Sequence, residues 1–132
     1  MNEDHPAMIA SRASWRCVQE HDKEGWLALM ADDVCIEDPI GVAPTNPTGQ
    51  GVRGKAAVSE FYDQNIAPSK ISIEVHESFA AGLEAAHLMT VSAHLANGMT
   101  TRVRSIFTYG VNEQGKLKSL RGYWTLDMMT FE

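Results

Sequence analysis

Near Lys70 the hydrophobic period of this 132-residue chain changes from that of a helix to that of a strand. Before it, three segments have apolar residues every three or four positions, with one short alternating run between them. Beyond Lys70 apolar residues alternate through Ile71 to Ala80, Ala85 to Ala96, Met99 to Val111 and Lys116 to Leu126. Asn97-Gly98 supplies a hairpin turn between two of these segments, and Asn112 to Gly115 a second reversal. Helices first and an antiparallel meander afterwards is the α+β order. A curved antiparallel sheet wrapped around three N-terminal helices would make a cone with an apolar pocket. The length fits a single domain, residues 1–132, with no internal repeat, low-complexity tract or linker.

The helical half can be read in more detail. Pro6 suits a first helical turn, with Asp4 as its cap, and the pattern runs to about His21. Ala7, Ala10, Ser14, Cys17, Val18 and His21 share one side of that helix, so Ser14 falls within the buried stripe. Asp22 caps a second, short helix through Trp26, Leu27 and Met30 that ends at Asp32-Asp33. Val34 to Asp38 alternates as a strand, placing Val34, Ile36 and Asp38 on one face and Cys35 and Glu37 on the other. Residues 40–54, rich in Gly and Pro, read as a long irregular loop of the kind that serves as a lid or binding segment. A third helix follows from Lys55 to about Ile66, its inner face marked by Ala57, Val58, Phe61 and Tyr62.

Charge and composition exclude several functions. A net charge of −6 has the wrong sign for neutralising phosphates, so neither nucleic acid nor an anionic membrane surface is an expected partner. No stretch has the roughly 20 apolar residues of a membrane span. The acidic start lacks the basic leader of a secretory signal, and the expected location is cytoplasmic. Cys17 and Cys35 show no metal spacing and read as reduced, buried thiols, and the five histidines show no ligand spacing either. The run Gly49 to Ala56 nearly spells a phosphate-binding loop, but Ala56 stands where a magnesium-ligating hydroxyl is required. It reads instead as a loop entering a helix.

Asp38 carries the chemistry. An Asp-Pro at a strand end is commonly a turn opener, but this side chain shares a face with Val34 and Ile36. Burial there disfavours the carboxylate and raises its proton affinity, which suits a general base. The run Ala31 to Gly41, with its Glu37-Asp38-Pro39-Ile40-Gly41, stands with Gly54-Lys55, Glu60-Phe61-Tyr62 and Gly122-Tyr123-Trp124. Together they resemble the ketosteroid isomerase family of the nuclear-transport-factor-like superfold, and most of all its mycobacterial ketosteroid-isomerase-like proteins. The resemblance extends from about Ser11 to Phe131.

That resemblance implies a steroid delta-isomerase acting through a dienolate, with Asp38 as the base and no metal or organic cofactor. The family's oxyanion tyrosine falls on Ser14, with Trp15 beside it, and its protonated aspartate on Ser105. Its supporting aromatic positions fall on Tyr62 and Trp124, and Val103 and Phe107 line the pocket side of the same strand as Ser105. Since losing one good oxyanion donor costs on the order of 10²- to 10³-fold in turnover, the implied enzyme is slow, or Tyr62, Trp124 or a water supplies the donor. Two alternatives keep the fold: a non-catalytic steroid or polyketide binder, and a cyclase or hydrolase. Family members pair through the outer sheet face, so a homodimer is expected, with Arg102 and Arg104 on that face. The strand register near Asn97-Gly98 decides whether Leu88, Thr90, Ser92 and His94 or Met89, Val91, Ala93 and Leu95 face the cavity.

Overall fold

The computed structural model describes residues 4–132. Helices α1 (Pro6–Gln19), α2 (Lys23–Ala28) and α3 (Lys55–Phe61) pack on one side of a curved sheet, and α3 continues through a π-helical turn at Tyr62–Ile66. The strands are β1 (Met30–Glu37), β2 (Val52–Arg53), β3 (Lys70–Ala81), β4 (Glu84–His94), β5 (Thr100–Val111), β6 (Leu117–Gly122) and β7 (Thr130–Phe131). They lie in the order β2-β1-β6-β5-β4-β3, with β7 pairing against β5. All pairs are antiparallel except β1 and β6, which run parallel.

Several local expectations are corrected by long-range pairing. Met30 to Asp33 belongs to β1, because Met30 pairs with Leu117 and the Leu117 N–H donates to the Leu29 carbonyl at 2.8 Å. The segment 40–54 is not wholly irregular: Val52 and Arg53 pair with Ile36 and Cys35. The last long strand stops at Gly122 rather than Leu126. The cap of α1 is His5, whose Nδ1 accepts the Ala7 N–H at 3.0 Å, rather than Asp4. Asp22 caps α2 as read, accepting the Gly25 N–H at 2.9 Å. The reversal near Asn97-Gly98 is wider than a two-residue hairpin, since the Leu95 N–H reaches the Met99 carbonyl at 2.8 Å. Cys17 is buried, whereas Cys35 is half-buried, and both are free thiols.

The core sits between the helices and the concave face of the sheet. Trp26, Val34, Ile36, Val58, Met89, Val111 and Leu117 have at most 2% exposure. Met89 pairs with Ser105 and Val91 with Val103, which settles the open register: Met89, Val91 and Ala93 face inward. Leu88, Thr90, Ser92 and His94 therefore lie on the outer face. Arg102 shares that face, donating to Ser92 Oγ at 3.1 Å and pairing with Glu132. No helix among the described residues is long and apolar enough to cross a membrane.

Candidate active site

The concave face closes on a cavity whose wall is largely apolar and includes Ile36, Phe61, Met89, Val91, Val103 and Phe107. Asp38 is the one carboxylate on it among the described residues. It follows the last residue of β1, so the strand's alternation turns its side chain inward beside Val34 and Ile36. Oδ1 accepts the indole N–H of Trp124 at 2.6 Å, and the loop hydroxyl of Thr45 donates to the Asp38 carbonyl. Burial raises the carboxyl's pKa above its ordinary value, and the Trp124 hydrogen bond opposes part of that rise.

Gly122 makes this arrangement possible. A Cβ there would lie 2.7 Å from Asp38 Oδ1, 2.8 Å from Trp124 Nε1 and 3.0 Å from Phe107 Cε2. The first two approaches are closer than a real side-chain carbon tolerates and the third is tight, so the carboxylate and indole occupy space that a missing side chain leaves.

The remaining sequence-derived positions are distributed unevenly. Ser14 lines the cavity, is 1% exposed, and accepts the Trp26 indole N–H at 3.0 Å. Ser105 is buried on the inward side of β5, but its hydroxyl donates to the Tyr123 carbonyl and it does not line the cavity. Trp15, Val103, Phe107 and Trp124 are all on the wall. Tyr62 is buried against Trp26 with Lys23 over its ring, outside the wall. The Trp124 N–H is already committed to Asp38.

Tyr109 is a cavity residue that reading the sequence did not single out. It is 4% exposed, lines the cavity, and its hydroxyl oxygen accepts the Trp15 indole N–H at 2.9 Å. Burial raises its pKa well above the usual phenol value, the Trp15 hydrogen bond lowers it, and the nearby Asp38 charge raises it further. Behind it His87, fully buried, stands edge-on to both Trp15 and Tyr109. Ser11 Oγ donates to the Ala7 carbonyl at 2.6 Å, so it can only accept from His87 Nε2–H, at 2.9 Å. His87 Nδ1 is then left to accept the Ser78 hydroxyl at 2.7 Å. Burial pushes the His87 pKa down to about 4, and the ring is neutral at ordinary pH.

The loop after β1 is pinned rather than free. Asn46, 1% exposed, donates through Nδ2 to the Pro39 carbonyl at 3.0 Å and accepts the Gly51 N–H at 2.9 Å. Thr45 on the same loop completes the cavity wall.

Residues 11–120 match the model of the SnoaL-like domain. The chain belongs to that family. Within the SnoaL-like family it stands with the ketosteroid isomerase-like proteins. It is 32% identical over 97 residues to a steroid delta-isomerase of Nocardioides simplex, covering 74% of this chain and 72% of the relative. A delta-5-3-ketosteroid isomerase from a Mycobacterium species superposes with a TM-score of 0.95 at 49% identity, covering 97% of this chain and 99% of that one. RV0760c of Mycobacterium tuberculosis, in complex with estradiol-17beta-hemisuccinate, gives a TM-score of 0.94 at 52% identity and covers 97% and 100%. The SnoaL-like architecture here thus joins one buried acid to an apolar hollow. Among the described residues no cluster of three or more His, Cys, Asp or Glu side chains is arranged to hold a metal ion.

Proposed function

We propose that this protein is a steroid delta-isomerase acting on a 3-oxo-delta-5 steroid, with Asp38 as the proton carrier. The Asp38 carboxylate removes a proton from the carbon beside the ketone, and the electron pair moves to the ketone oxygen to give a dienolate. The resulting carboxylic acid returns the proton further along the conjugated system as the carbonyl re-forms. The double bond moves into conjugation, and atoms and charge balance without a co-reactant. The observation that carries this reading is a single carboxylate, its pKa raised by burial, on a largely apolar wall. A raised pKa brings the base closer to the very weak carbon acid it must deprotonate. The isomerases among its relatives support the same substrate class.

The test mixes purified protein with a non-conjugated 3-oxo steroid and follows the ultraviolet band of the conjugated enone. Turnover that falls at least 100-fold in Asp38→Asn supports the assignment, and an unchanged rate removes Asp38 from the mechanism. A second reading, retention of a steroid without turnover, draws on the Ser105 hydroxyl, which is committed to the Tyr123 carbonyl. It forecasts saturable steroid binding with no enone band, and rapid isomerisation excludes it.

A further inference from the structure

We propose that the phenolic hydroxyl of Tyr109 is the group that donates a hydrogen bond to the ketone oxygen of the bound ligand, with Trp15 holding it in place. This rests on the isomerase reading for its catalytic consequence, though the hydrogen bond itself needs only that a ketone binds.

The argument is an accounting of polar hydrogens around the cavity. The Trp124 N–H goes to Asp38, the Trp26 N–H to Ser14, the Trp15 N–H to Tyr109, the Thr45 hydroxyl to the Asp38 carbonyl and one of the two Asn65 amide hydrogens to the Phe61 carbonyl, which leaves the other Asn65 hydrogen and the Ser14 and Thr101 hydroxyls as weaker donors. Tyr109 takes part in its one hydrogen bond as an acceptor, so its own hydrogen is left without a protein acceptor among the described residues. A phenol is a much stronger acid than the alcohols of Ser14 and Thr101 and so the better donor to a developing oxyanion. Accepting the Trp15 N–H polarises the O–H bond and strengthens it further as a donor.

Placement agrees with the chemistry. Glu37 pairs with Arg121, and Gly122 with Phe107, which puts Asp38 on the row of Phe107. Tyr109 is two residues along β5 on the same inward face, about 7 Å further along the strand. The span to be bridged is a contact of about 3 Å from carboxylate to acidic carbon, two covalent bonds to the oxygen, and a hydrogen bond of about 2.7 Å. Proton removal carries the negative charge from Asp38 to the ligand oxygen. Tyr109 lies within reach of that charge, since the Asp38 carboxylate already perturbs its ionisation. Trp15 is a positioning residue that acts through Tyr109.

The experiment uses a carbon-13-labelled conjugated 3-oxo steroid, which binds without needing turnover, and reads its carbonyl stretch by infrared spectroscopy beside the isomerase rate. In the wild type the stretch falls below its value in apolar solvent. In Tyr109→Phe it returns towards that value and kcat/KM drops about 100-fold or more, while in Ser14→Ala the stretch stays low. Trp15→Phe keeps the phenol and moves the stretch part-way back, which serves if Tyr109→Phe does not fold. A stretch unchanged in Tyr109→Phe, or unchanged in Trp15→Phe where the first variant is unfolded, or restored only by Ser14→Ala, overturns the proposal. If the wild type shows a Tyr109-dependent stretch but no enone product, the isomerase reading falls and the hydrogen bond stands. If it isomerises and both the rate and the stretch are indifferent to Tyr109→Phe, the reverse holds.

Discussion

Lowering the pH from 7 towards 4 should destabilise this protein through His87. The imidazole is 0% exposed and held neutral between Ser11 and Ser78, with its pKa pushed down to about 4. In the unfolded chain the same ring takes up a proton near pH 6.5. Between those values the unfolded state binds more protons, so stability falls as the pH falls, by up to about 1.4 kcal/mol per pH unit. Across the interval this amounts to roughly 3 kcal/mol. Asp38, whose pKa is raised, contributes in the opposite direction, but it is common to the wild type and to a His87→Gln variant. Urea unfolding of both proteins at stepped pH, followed by tryptophan fluorescence, isolates the histidine. Trp15, 4.6 Å from the His87 ring, is a local reporter. His87→Gln should be less stable at pH 7 and should converge on the wild type by roughly 3 kcal/mol as the pH approaches 4. Parallel stability curves would refute the claim that His87 is buried neutral.

Three further outcomes concern the cavity. Trp124→Phe removes the N–H that stabilises ionised Asp38, so the acid limb of the pH–rate profile should move to higher pH, and a limb that stays put or moves lower contradicts that hydrogen bond. Gly122→Ala places a carbon 2.7 Å from Asp38 Oδ1. The displaced carboxylate should cost about 100-fold in kcat with the circular dichroism spectrum unchanged. Asn46→Ala strands the Pro39 carbonyl and the Gly51 N–H. At about 1–3 kcal/mol for each unpaired group, denaturant unfolding should show a loss of about 2–6 kcal/mol, together with weaker steroid binding as the loop that carries Thr45 loosens.

What could be read from the sequence was whatever local pattern determines. Pro6, Asp22, the apolar stripe of α1 and the alternation beyond Lys70 placed the helices and the long strands, and Val34, Ile36 and Asp38 at period two placed the carboxylate on the inward face. Pairings between distant segments were invisible. Met30 to Asp33 became strand because Leu117 lies beside Met30, and Val52-Arg53 because Cys35-Ile36 lies beside them. Hydroxyl orientation was hidden as well. Period two set Ser105 on the inward side, yet its hydrogen is spent on the Tyr123 carbonyl. Tyr109 looked like any aromatic in a buried strand, because what distinguishes it is a partner 94 positions away. The resemblance to the ketosteroid isomerases depended on the run through Asp38, and the match over residues 11–120 agrees with it.

The acid stands at the tip of one strand, while much of the hollow's contour comes from alternate positions on β3, β4 and β5. Enlarging or trimming Ile73, Val91 or Ala93 therefore remoulds the space offered to a guest molecule without moving the Asp38 carboxylate. The contour set by β3 and β4 and the carboxylate at the end of β1 belong to different stretches of chain, so the shape of the hollow can drift under selection while Asp38 is held fixed.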